Sequence, residues 1–134
     1  MRIAIAAALL LLTGCSVAND CRNVQAKIAA FHDAFNKGDV GQTLSKSNAV
    51  GPQGSKLAQA TLVFAALRKK LGAYVTGQKA DCRVKYRVSG KLIVVRYRSL
   101  FESGPAQEVF TFRGSPPDAW LSDFHVYSKE LATK

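Results

Sequence analysis

Asp123 and His125 stand two residues apart in a stretch that reads as a strand, and that spacing puts both side chains on one face. A carboxylate beside an imidazole can serve as a general acid–base pair. At this spacing, however, the side chains start roughly 7 Å apart, too far for direct contact without a bend, so an exposed strand face is expected. His32 and Asp33 are neighbours in a helical stretch and point apart, which predicts solvated or boundary positions. Asp39 follows a glycine stop and is expected to cap a short helix. Asp81 and Tyr97 complete the candidates, and Tyr97 falls among apolar residues and is expected in the core. There is no Gly-x-Ser-x-Gly elbow, Walker A loop or dinucleotide-binding glycine pattern. Two histidines so far apart give no metal-ligand spacing. The pattern therefore predicts no catalytic centre, no metal site and no cofactor.

Charge is the stronger signal. Nineteen lysines and arginines oppose nine carboxylates, for a formal charge of +10. Arg83, Lys85 and Arg87 share one parity of a strand, and Arg96 and Arg98 share one parity of the next. If the two strands pair as a hairpin across Ser89-Gly90, these five form one positive patch for an anionic surface or acidic partner, weakened by salt. The plainer alternative is a solvated outer face.

The chain opens with one basic residue, Arg2, an apolar run from Ile3 to Leu12, and then Leu12-Thr13-Gly14-Cys15. The run falls short of the about 20 apolar residues that span a bilayer and has the layout of an export signal. The four residues ending at Cys15 resemble the bacterial lipobox. That resemblance implies removal of residues 1–14, acylation of Cys15 and stable anchoring by several acyl chains. Ser16 follows the cysteine, where an aspartate is associated with inner-membrane retention, so the resemblance favours the outer membrane, facing the periplasm. Residues 15–20 are then expected as a lipidated polar tether, and its five residues after the cysteine, Ser16–Asp20, reach at most about 17 Å. Export argues against nucleic acid as the acidic partner. Anionic lipid head groups, an acidic protein or an anionic envelope polymer such as lipopolysaccharide or cell-wall polymer suit that compartment better.

With Cys15 taken by lipid, Cys21 and Cys82 remain where disulfides are permitted. A bridge between them would stabilise the fold by roughly 4 kcal/mol in the chain-entropy model. Two separate thiols, with Cys82 a small buried hydrophobe, are the alternative.

The elements that must position these residues can be read from periodicity. Val24, Ile28, Phe31 and Phe35 lie on one helical stripe, predicting a helix over Cys21–Asn36 with Asp20 as its N-cap and Gly38 as its stop. Asp39 to Ser47 is expected as a second short helix. Gly51, Pro52 and Gly54 break the chain, and Ser55 could cap a further helix. That helix carries Leu57, Ala60, Phe64, Leu67 and Leu71 in a 3-4-3-4 spacing and ends at Gly72. Alternation then predicts strands at Cys82–Val88, Lys91–Phe101, Gln107–Arg113 and Trp120–Tyr127, with a frayed tail from Lys129. An antiparallel sheet with helices on one face buries both apolar stripes. The expected class is α+β, with residues 21–134 as one domain.

That order of elements resembles the cone-shaped nuclear-transport-factor-two-like fold of the cystatin-like group, and more closely small bacterial exported lipoproteins of unknown function within it. The likeness is carried by residues 31–39, 68–72, 94–101 with Gly104, 108–110, 120–121 and 125–128. Ser122-Asp123-Phe124-His125 departs from the glycine-aromatic pair expected in the last strand. The resemblance implies helices packed on a curved four-stranded antiparallel sheet and brings no established activity. Enzymes of this cone fold resemble ketosteroid isomerases and small dehydratases, for which His32, Asp33, Asp81, Tyr97, Asp123 and His125 would be the candidates. The function expected is a non-enzymatic binding module of the envelope. A periplasmic inhibitor or immunity protein is the alternative, and an isomerase or dehydratase a more distant one.

Overall fold

The computed structural model describes residues 13–40 and 54–132. The apolar run of residues 1–12, the short helix expected beyond Val40 and the Gly51-Pro52 break lie outside them.

The stripe of Val24, Ile28, Phe31 and Phe35 is buried on helix α1, Thr13–Lys37. Gly38 ends the helix at φ +77°, with its N–H on the Phe35 carbonyl and the Asp39 N–H on that of Ala34. The helix begins eight residues ahead of the expected Cys21, so Ser16–Asp20 is helical, and Asp20 lies inside the helix instead of capping it. No glycine or proline interrupts residues 15–37, and the buried Asp20 carboxylate pairs with Lys91 of the sheet, holding the early turns in place. Helix α2, Gly54–Leu71, begins one residue ahead of Ser55. Leu71 is buried, and Phe64 and Leu67 pack on the core.

Four strands follow in an antiparallel sheet of order β1-β2-β3-β4: Tyr74–Arg87, Gly90–Phe101, Gly104–Arg113 and Trp120–Tyr127. β1 starts at Tyr74, not Cys82. Register shifts at Tyr74/Thr76 and Lys79/Asp81 insert extra residues, and each breaks the alternation that marks a strand. A further shift at Thr111/Phe112 gives β4 an extra residue, Ser122. Ile93, Val95, Tyr97 and Phe101 of β2 share the inner face with Phe110 and Phe112 of β3, and α1 lies over them. The tail is not frayed at once. Lys129–Ala132 forms a short helix, α3, with the Leu131 N–H on Ser128 Oγ and Leu131 against the core. The class is α+β, with helices on one face of an open four-stranded sheet.

Three contacts lock α1 along that sheet. At one end Cys21 is bonded to Cys82, 6.2 Å between Cα atoms. Midway, Lys27 Nζ donates to the carbonyls of Pro117 (2.9 Å) and Ala119 in the β3–β4 connection. At the far end Asn36 bonds both backbone groups of Tyr74, donating to its carbonyl at 2.9 Å and accepting from its N–H at 2.7 Å.

Candidate functional site

The inner face of the sheet holds a polar cluster inside an aromatic core. Glu108 is in phase with Phe110 and Phe112 on β3 and is 0% exposed. Its Oε1 accepts from Ser99 Oγ on the neighbouring strand and lies 2.9 Å from His32 Nε2 on α1. Tyr74 stacks on the imidazole, with ring centroids 3.6 Å apart and planes 6° off parallel, while Phe31, Tyr97 and Phe110 present edges to it. The Asn36–Tyr74 bonds therefore fix the stacked ring as well as the helix end. Gly77 completes the enclosure, since a Cβ there would lie 2.5 Å from Tyr74 Oη. Burial, reinforced by the negative charge of Glu108, pushes the Tyr74 phenol up to about 12. The same burial raises Tyr97, against the pull of its hydrogen bond with Gln25.

Chemically this cluster is a carboxyl, an imidazole and a hydroxyl around one oxygen, able to hold and pass a proton. Glu108 Oε2 has no hydrogen-bond partner among the described residues. Packing shapes its role as much as its chemistry does, because rings occupy the space around the imidazole. Burying a carboxyl is costly unless it is paired and hydrogen-bonded, and His32 and Ser99 supply that pairing.

His32 thus departs from the solvated or boundary position expected of it, being only 6% exposed. It lies four residues after Ile28 and three before Phe35, which places it on the apolar stripe of α1. Its neighbour Asp33 points outward and pairs with Lys37. Tyr97 is in the core, as its apolar neighbours indicate. Glu108, Ser99 and Tyr74 were not sequence candidates. Parity with Phe110 and Phe112 was the signal for Glu108.

The outer face is a different surface. Cross-strand partners share a face, and the register runs Lys85–Leu92–Arg113, Arg83–Val94–Thr111–Asp123, Asp81–Arg96–Val109–His125 and Gln78–Arg98–Gln107–Tyr127, with Arg87 opposite Gly90. Arg83, Lys85, Arg87, Arg96 and Arg98 therefore stand on one face, all exposed. Arg113 joins them, out of phase with the buried Phe110 and Phe112 in the same strand. Two carboxylates accompany these six cations. Asp81 pairs with Arg83 at 2.9 Å and Asp123 with His125 at 2.8 Å, each on an exposed surface. The second pair corrects the expectation that Asp123 and His125 are too far apart. The Ser122 irregularity precedes them, Asp123 Oδ1 accepts from the Phe124 N–H, and the two side chains span the gap between their backbones. Among the described residues Lys85, Arg87, Arg96 and Arg98 form no ion pair. A shallow open depression lies on the sheet between Thr76, Gln78, Arg98 and Leu100.

A third region is the corner where α1 begins. The Cys21–Cys82 bond and the Asp20–Lys91 pair both join α1 to the β1–β2 hairpin there. The backbone of Cys15 is in the first turn of α1, and its side chain lies outside the described residues. Among the described residues no helix is long and apolar enough to cross a membrane, and no three metal-ligating side chains gather. Comparison with known proteins finds no matching family model, no matching curated protein and no matching solved structure.

Proposed function

We propose that this chain is a bacterial envelope lipoprotein, anchored through Cys15, whose domain is a non-enzymatic binding module for an anionic partner. The partner is an acidic protein or an envelope polymer, and the binding surface is the outer face of the sheet. One observation carries this reading: the strand register sets Arg83, Lys85, Arg87, Arg96 and Arg98 side by side on an exposed face. Cations at such density focus a positive potential that draws acidic surfaces. The anchor rests on the lipobox resemblance, with the outer membrane as its address. The cone-shaped fold is part of the same proposal, supported by the element order and by α1 lying across the inner face.

Two expected outcomes test it. Cys15→Ala should move the chain out of the membrane fraction, and its retention there would remove the anchor. Reversing Arg83, Arg87, Arg96 and Arg98 to Glu should abolish crosslinked recovery of the envelope partner while leaving the melting temperature almost unchanged. Unchanged recovery would remove the basic face as the binding surface.

A second reading, an isomerase or dehydratase of the cone type, is favoured by the His32–Glu108 distance of 2.9 Å. The aromatic rings packed around that pair weigh against it, because a substrate must displace them to reach the imidazole.

A further inference from the structure

The β1–β2 hairpin and the start of α1 project from the same corner. Cys21 is bonded to Cys82, while Asn36, at the other end of α1, is bonded to Tyr74 at the start of β1. The helix and β1 therefore run antiparallel, so α1 traced backwards from Cys21 and β1 traced forwards from Cys82 head the same way. Six residues of helix back to Cys15 rise about 9 Å. Six residues of strand out to Val88 cover about 20 Å. The hairpin tip thus reaches at least as far in that direction as the start of the helix.

The tip also has a distinct composition. From Cys82 to Lys91 it carries Arg83, Lys85, Arg87 and Lys91 and no carboxylate. Asp81 takes up Arg83 and Asp20 takes up Lys91, leaving Lys85 and Arg87 without an ion pair among the described residues. At the turn Val88 is fully exposed, and Tyr86 is 73% exposed with Lys91 Nζ 5.9 Å from its ring centroid. A tyrosine and a valine collared by cations match the two layers of a bilayer surface, the apolar boundary and the charged head groups.

From this geometry we infer that the β1–β2 hairpin tip docks on the membrane that holds the anchor, with Val88 and Tyr86 entering the interface and Lys85 and Arg87 binding anionic lipid head groups. The inference rests on the anchored reading above and narrows it. Part of the basic face is committed to lipid, and Arg96 and Arg98, farther along the sheet, remain for another anionic partner.

The test uses the mature chain extracted from membranes, with Val88→Trp as a reporter, reconstituted in phosphatidylcholine vesicles with or without phosphatidylglycerol. Difference spectra against the unsubstituted chain remove Trp120. The expected result is blue-shifted emission, quenched by lipid-borne quencher, only when phosphatidylglycerol is present. Adding Lys85→Glu and Arg87→Glu should lower that partition by more than about tenfold. Water-like emission in both vesicles, or the same shift in pure phosphatidylcholine, overturns the inference. If the tip stays in water while Arg96→Glu with Arg98→Glu still abolishes partner recovery, the hairpin inference falls and the basic-face reading stands. If none of these reversals changes any binding, both fall.

Discussion

The two faces of the sheet handle charge in opposite ways. On the inner face a single carboxyl, Glu108, is completely buried and is met by His32 and Ser99 inside a shell of aromatic rings. On the outer face six cations meet two carboxylates, and most of them face water. A buried polar group must find its partner within the fold or cost stability. An exposed one is solvated at little cost and can be held ready for another molecule. The inner cluster therefore reads as part of what holds α1 on the sheet, and the outer face as the surface that the proposed anionic partner would meet.

The contrast can be broken most forcefully at Glu108. Glu108→Ala leaves His32 and Ser99 buried without their acceptor, and a buried group left unsatisfied costs about 1–3 kcal/mol. Denaturant unfolding should show that loss, whereas Glu108→Leu combined with His32→Leu should recover most of it. If the single and double variants are equally unstable, the pair is not what organises this region. A smaller effect is expected at high pH. An unfolded tyrosine ionises near pH 10, while folded Tyr74 keeps its proton to about 12. The unfolded state then binds fewer protons across that window, so stability falls as pH rises from about 10 to 12. Tyr74→Phe should flatten part of the fall in melting temperature, and an unchanged slope would place the titration elsewhere. The smallest effect on stability belongs to the outer face. Each of the four charge reversals proposed above should shift it by no more than about 0.5 kcal/mol, and a large loss would show that the cations hold the sheet together.

The elements were legible where periodicity was regular. The stripe of α1, the glycine stops at Gly38 and Gly72, strands β2 and β4, and β3 from Gln107 onward follow from spacing, because the helix and strands each have one face in the core and one in water. The first three residues of β3, Gly104–Ala106, open instead on the residue types of a turn. β1 was legible only from Cys82, since its two register irregularities scramble the alternation from Tyr74 onward. The start of α1 was missed because Asp20 has the residue type of an N-cap, and only the fold shows that Lys91 receives it. The basic face could be assembled from parity plus one assumed hairpin, and the register supplied Arg113 as well. The inner cluster was hidden for a physical reason. Charged residues are read as solvated by default, yet Glu108 and His32 both sit in phase with apolar neighbours. Their juxtaposition spans 76 positions of chain, a distance over which local pattern carries no information.

The Cys21–Cys82 bond has a consequence for how the chain responds to damage. It closes a loop of 61 positions that takes in most of α1, all of α2 and the first half of β1. A single backbone cut anywhere inside that loop yields no separate pieces. The fragment bearing the start of α1 and the fragment bearing most of the sheet remain one molecule, and they part only when a reductant reaches the sulfurs. A nicked molecule would thus keep its basic face joined to the start of α1, where an unbridged chain would hold the two only by packing.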